Sequence, residues 1–248
     1  MERHSTEAIL LGATPFAESD LIVTLLTPAG KVRAMAHGAR RSKRRFAGAL
    51  ETFASLRVEL QHRGSGLSTL GEATVLTIHP AIRADLSRIG HAAYACELVD
   101  RFLPEGMENP RLFRLLAAYL QRLDSVPLSL ADRRFFEVNL LKVCGFPLRL
   151  DSCGSCGDTL DHSAAASYAA SPIGEILCPL CGPIRRRITP ATILYLLQAH
   201  TTSRFDLLAA DADTVAQAAL LLDAAIASHL SSPLRSLSFL ATAGTPSS

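Results

Sequence analysis

The sequence predicts an α+β protein: a small N-terminal β-barrel, then a mostly α-helical domain carrying an inserted four-cysteine zinc knuckle. Three observations predict it. Up to about residue 80, apolar and polar residues alternate between Gly- and Pro-containing turns, the period of half-buried strands. From His79-Pro80 onward the apolar spacing changes to three and four, the period of helices. Within the helical part, two C-x2-C pairs interrupt the pattern at 153–156 and 178–181. With 248 residues and 48% hydrophobic content, the chain can bury a core in one or two domains.

Five strands are legible. "EAILLGA" is the first. "DLIVTLLTPAGKVRAMAHG" reads as a hairpin, with Pro28 and Gly30 at the second and fourth positions of a type I turn. On its second strand Val32, Ala34 and Ala36 should face the core, leaving Lys31, Arg33, Met35 and His37 on the other side. "SLRVELQ" alternates strictly, and "STLGEATVLTIH" supplies the fifth. Five short strands in about 80 residues fit the oligonucleotide/oligosaccharide-binding (OB) fold.

Helices make up the remainder. Leu86, Ile89, Ala93, Cys96, Val99 and Leu103 form one predicted stripe. Asn109 and Pro110 suit the N-cap and first helical position of the next helix, and Gly145 closes the one after it. Beyond the insert, Thr189 is a candidate cap for "TPATILYLLQAH", and Asp211 or Asp213 for "ADTVAQAALLLDAAIASHL". The domains expected are a barrel at 1–80, a helical domain at 81–150 and 186–240, a zinc-binding insert at 151–185 and a tail at 241–248.

The insert carries the sharpest motif. Cys153, Cys156, Cys178 and Cys181 have the spacing by which two tight turns offer four thiolates to one metal, and Gly157 and Gly182 come directly after the pairs. Four protein ligands leave no open position, so one structural zinc ion is expected, with two disulfides or a decayed site as the competing reading. Cys96 and Cys144 lie on apolar helix faces and read as ordinary buried cysteines.

Charge is the other signal. The chain has 25 Lys and Arg against 23 Asp and Glu, yet "KVRAMAHGARRSKRRFAG" holds Lys31, Arg33, Arg40, Arg41, Lys43, Arg44 and Arg45 and no acid. Neighbouring cations repel unless a polyanion neutralises them, and arginine suits phosphate contact and stacking on bases. These seven are the predicted DNA-binding residues, and Arg185, Arg186 and Arg187 form a second cluster. A solvated surface loop is the alternative. No acid–base or nucleophile constellation accompanies either motif, so the chain reads as a binding protein and not an enzyme. The N-terminus lacks the apolar core of a secretory signal, and the longest late apolar run is broken by Asp223, well short of the ~20 residues of a membrane span. A soluble cytoplasmic protein without a membrane partner is expected.

"PFAESDLIVTLLTPAGKVRAMAHGARRSK" with "GALETFASLRVEL", and "RRFFEVNLLKVCGFPLRLDSCGSCG" with "CPLCG", resemble the RecO family of bacterial recombination mediators. The resemblance implies binding of single- and double-stranded DNA, annealing of complementary strands, and recombinase loading with RecR on strands coated by single-strand-binding protein. It also implies a nucleoid-associated location. A helical-domain site for the acidic, apolar C-terminal tail of single-strand-binding protein is implied too, with Arg134 at the matching position. Arg133 beside it blurs that assignment, and a buried ion pair of Arg134 with Glu137, three residues on, is the other reading. Outside this resemblance, a zinc-containing OB-fold RNA-binding or ribosome-associated factor would share the same basic barrel.

Overall fold

Five strands form in the first unit where the alternation places them: β1 (Glu2–Phe16), β2 (Asp20–Thr27), β3 (Gly30–Ala36), β4 (Ser55–His62) and β5 (Ser68–Thr77). The computed structural model describes residues 2–42, 45–46, 49–62, 67–161, 166–182, 186–202, 204–208 and 210–243. By contacts the chain divides into two units, Met1–Pro127 with Leu234–Ser248, and Leu128–Pro233.

The strands close into a barrel in the order β1-β2-β3-β5-β4, β4 returning to β1. All pairings are antiparallel except β3 with β5, which is parallel and joins only Ala34 to Ser68 and Met35 to Thr69. β1 serves two neighbours: Glu2–Ile9 pairs with β4, and Ile9–Phe16 with β2, with a register shift between Leu10 and Gly12. The inward residues Leu10, Val23, Leu25, Ala34, Ala36, Leu56, Val58, Leu60 and Leu70 make the core, and Val32 packs against it. The predicted facing of the second hairpin strand therefore holds.

Helices α1 (Pro80–Arg83), α2 (Leu86–Phe102), α3 (Pro110–Ser125) and α7 (Arg235–Ala243) belong to the same unit. Asn109 caps α3 by accepting from the Leu112 amide at 3.0 Å. The stripe predicted on α2 is wrong at its first member, because Leu86 is 66% exposed. β1, α1, α3 and α7 all pack on α2, so it buries residues around most of its circumference, including His91, Tyr94, Leu98 and Phe102. α7 runs on to Ala243 through the start of the expected tail, anchored where Glu97 accepts from the Arg235 and Ser236 amides and the Ser236 hydroxyl. Residues 244–248 of that tail lie outside the described residues.

The second unit contains α4 (Leu130–Val143), a small sheet of β6 (Tyr168–Ala170), β7 (Ile176–Leu177) and β8 (Arg187–Ile188), then α5 (Pro190–Thr201) and α6 (Ala212–Ser228). Gly145, at φ 91°, lies just past the end of α4. Asp211, not Asp213, caps α6, accepting from the Thr214 amide at 2.7 Å. Thr189 is the N-cap residue of α5, as expected, but its side chain makes no capping bond; its hydroxyl donates to Gln217 Oε1 on α6 instead. Among the described residues no helix is long and apolar enough to cross a membrane.

One buried group lies at the joint between barrel and helices. His79 has left-handed backbone geometry (φ 52°, ψ 71°), is almost fully buried, and leaves both ring nitrogens without a hydrogen-bond partner. Burial lowers its pKa below the usual 6.5, partly offset by the Asp124 carboxylate that accepts from the first α1 amides. The unfolded chain therefore takes up a proton first, and stability present above pH 6.5 is lost as pH falls toward the folded-state pKa. Denaturant unfolding at pH 7.5, 6.5 and 5.5 should show wild type losing up to about 1.4 kcal/mol per pH unit below 6.5 relative to His79→Asn. Asparagine does not titrate and tolerates the left-handed conformation. Parallel pH profiles would refute the assignment.

Candidate metal centre and nucleic-acid interface

The thiols of Cys153, Cys156, Cys178 and Cys181 converge in the second unit, all four sulfurs within 4.8 Å of one another. Local turns and the small sheet bring them there. The Gly157 amide bonds back to Cys153, and the Cys181 and Gly182 amides to Cys178. The Gly154 amide joins Ile176 of β7, so the first turn is tied to the strand that leads into the second. Gly157 has φ 80°, whereas Gly182 is needed for close approach: a Cβ there would lie 2.7 Å from that of Ala169.

The chemistry fits a metal better than a disulfide. All six cysteines are free, and the Cys156 and Cys178 sulfurs are 3.8 Å apart. A tetrahedral ion with sulfur ligands at about 2.3 Å gives edges of about 3.8 Å. Burial opposes ionisation of Cys153, but the amides of Cys156, Cys178 and Ser155 bring it down to about 6. For Cys156 the Asp158 amide favours the thiolate, but the hydrogen bond shared with Cys153 opposes it, and the thiol is pushed up to about 12. Four adjacent thiolates need a cation between them, and this group can hold one. Cys96 is buried, as expected, with burial pushing its thiol up to about 12; Cys144 is half-buried.

The basic stretch divides on folding. Lys31 is not on the free surface: only 12% of its side chain is exposed, and its ammonium bonds Asp100 Oδ1 at 2.9 Å and the Asp100 carbonyl. Arg33 is exposed, and its side chain has no partner among the described residues. Arg40, Arg41 and Arg45 lie in the loop after β3, all exposed. Arg40 donates to the Glu18 carbonyl at 3.3 Å, and Arg41 makes an open ion pair with the Glu18 carboxylate at 3.4 Å. Arg45 lies over the Phe46 ring at 5.1 Å and donates to the His37 carbonyl at 2.6 Å. Lys43, Arg44 and, in the second cluster, Arg185 fall outside the described residues; Arg187 is exposed and Arg186 half-buried.

This loop is pinned at both ends. Phe46 and Ala49 are buried in the barrel core, and the Ala73 amide of β5 donates to the Arg45 carbonyl. At the loop's root Asp20 accepts from the Gly38 amide and from His37, and those bonds, the amide's first, lower its pKa. Phe46 as an anchor was not read from the sequence. Its signal was there: one aromatic residue at the end of a polar, cationic run.

Arg134 sits on α4 in a buried network. Its Nη1 donates to Glu137 Oε2 and to Asp223 Oδ1, each at 2.6 Å. Arg133 Nε meets Glu137 Oε1 at 2.8 Å, and Glu137 is fully buried. The ion pair weighed from the sequence is therefore present, but it does not use the whole guanidinium, since Arg134 Nε is buried without a partner. Arg134 also lines a groove of about 500 Å³ between the segment that enters α4 (residues 128–131) and one face of α6 (Ala212, Val215, Ala216, Ala219). Asp223 and this groove were not read from the sequence, because only folding brings α6 to α4.

Comparison with known proteins agrees with this architecture. Residues 1–79 match the family description "Recombination protein O N terminal", and residues 83–238 match "Recombination protein O C terminal". The chain belongs to the recombination protein O family. Relatives called DNA repair protein RecO include that of Geobacter metallireducens, 49% identical over 241 residues, covering 97% of this chain and 98% of the relative. That of Geobacter sulfurreducens is 48% identical over 94% of this chain and 96% of its own. That of Pelobacter propionicus is 42% identical over 97% of both.

The α4 network has a direct stability consequence. Glu137→Gln would take from Arg133 and Arg134 the fully buried carboxylate that they share. Breaking a buried pair of this kind costs about 3–5 kcal/mol. Urea denaturation should show a loss of that order, and a change below about 0.5 kcal/mol would mean that the network is not structural.

Proposed function

We propose that this protein is a non-enzymatic DNA-binding recombination mediator in DNA repair. It binds single- and double-stranded DNA, anneals complementary strands, and works with RecR to load recombinase on strands coated by single-strand-binding protein. Its place is the cytoplasm, at the nucleoid. The observation that carries the reading is the exposed arginine loop pinned to an OB barrel by Phe46, in a chain of the recombination protein O family. Arg33, Arg40, Arg41 and Arg45, with Lys43 and Arg44, form the proposed DNA path. Lys31 is left out because Asp100 holds its ammonium.

The mechanism needs no base readout. Arginines along the phosphates release counterions and let two complementary strands lie close enough to pair. About four contacts at once give a slope of log affinity against log salt near −3 for single strands. Replacing Arg33, Arg40, Arg41 and Arg45 by Ala should flatten that slope and slow annealing equally for all sequences, with melting little changed. Wild-type affinity and slope in this variant would make the loop a solvated face.

One structural zinc ion is proposed for Cys153, Cys156, Cys178 and Cys181, supported by their convergence within 4.8 Å. Protein purified without added metal should contain about one zinc per chain, and Cys178→Ser should lose it. Reduced, folded wild-type protein without metal would refute this. The groove at Arg134 is the proposed site for the acidic, apolar C-terminal tail of single-strand-binding protein. An apolar wall ending at a buried guanidinium with an unpartnered Nε supports it.

A further inference from the structure

Two carboxylates meet Arg134 Nη1, and their settings differ. Glu137 is fully buried and also holds Arg133, so it is locked in place. Asp223 has a side chain 56% exposed and reaches the network from α6. On that helix Ala212, Val215, Ala216 and Ala219 wall the groove, and Asp223, one turn beyond Ala219, ends the same face. The Nε side of the guanidinium is buried and unused. A guanidinium binds a carboxylate best through two parallel N–H groups, and Arg134 Nε is a donor that neither resident carboxylate uses.

The net charge at the groove's end sets how well a further anion is received. Asp223 already places a negative charge 2.6 Å from Arg134 Nη1 and 3.9 Å from Arg133 Nη2. A ligand carboxylate would have to share Arg134 with that charge and be repelled by it. Without the Asp223 charge the same carboxylate would meet the arginines with one anion fewer beside them.

We propose that Asp223 sets the affinity of the groove: it is a resident carboxylate that shares Arg134 with the carboxylate of an acidic, apolar peptide end and keeps that binding weak and readily reversed. This rests on the reading of the groove as the tail site. Glu137 cannot take the role, since removing it breaks the buried pairs, whereas Asp223 is reached by solvent and can move aside. Part of the binding strength is thereby exchanged for fast release, which suits a partner that must be let go once the strand is handed on.

The test uses full-length protein and a labelled synthetic hexapeptide of three aspartates followed by three apolar residues, made with a free C-terminal carboxylate or a C-terminal amide. By fluorescence anisotropy at about 0.1 M salt, Asp223→Asn should bind the free-acid peptide about three- to tenfold tighter than wild type, chiefly through slower release. The amide peptide should gain less than about twofold, because its terminus brings no carboxylate for Asp223 to repel. Asp223→Ser should show the same gain, which guards against a folding defect in one variant, and Asp223→Glu should stay near wild type. Equal or weaker free-acid binding in both neutral, folded variants overturns the proposal and makes Asp223 a support for Arg134. If wild type does not distinguish acid from amide, and Arg134→Ala binds as well as wild type, the tail reading itself fails and the proposal falls with it.

Discussion

The barrel unit depends on one strand doing two jobs. β1 is 15 residues long and pairs along one half with β4 and along the other with β2. A strand that long cannot stay straight in a small barrel: it passes from one neighbour to the other at Ile9, and the shift between Leu10 and Gly12 bends it just beyond, inside the β2 pairing. The Leu10 amide and carbonyl are not lost there, since they bond Ala54 and Phe53 at the end of the loop that leads into β4. The bulge therefore fixes one end of the β3–β4 connection, and Phe46 in the core fixes its middle. A cationic loop held in this way has less entropy to lose on binding a polyanion than a free one.

The near-neutral total charge hides a division of labour. Some acids are used internally: Asp100 takes Lys31, Glu97 anchors α7, and Glu137 satisfies two arginines. Glu18, by contrast, makes only open surface contacts with Arg40 and Arg41, and such contacts are screened and worth little. The loop arginines are thus placed so that little must be given up when phosphates replace water. Net charge could not have revealed this, because it counts Asp100 and Glu18 alike.

What the sequence made legible depends on the range of the interactions. Alternation in "SLRVELQ" and the turn at Pro28 and Gly30 are local, and the strands and hairpin formed as expected. The cysteine spacing is a local constraint repeated twice, and the four sulfurs met. The switch of period at His79-Pro80 marks a real change from strand to helix, but packing draws its division between Pro127 and Leu128, since α1–α3 bury their apolar residues in the barrel unit. Leu86 was misread because a stripe model assumes one buried face, whereas α2 is covered on several. Lys31 alternates correctly with Val32, yet its partner lies 69 residues away. No local pattern could have shown that its outward face is roofed by the end of α2. Asp223 stayed hidden for the same reason, 89 residues from Arg134.

Residues 151–188 show why a metal would matter to the second unit. Their three strands have three, two and two residues, too short to hold a sheet through backbone pairing alone. Tyr168, Ile176 and Ile188 supply some buried apolar surface, but the two cysteine turns are exposed at Cys156 and Cys181. Without a cation the thiols differ: Cys153 is brought down to about 6, whereas Cys156 is pushed up to about 12 and resists the ionisation that binding one requires. With a cation, four thiolates are neutralised together and two turns separated by more than twenty residues are tied at one point. A single ion would then supply the cross-link that a segment with so little core cannot make from side-chain packing.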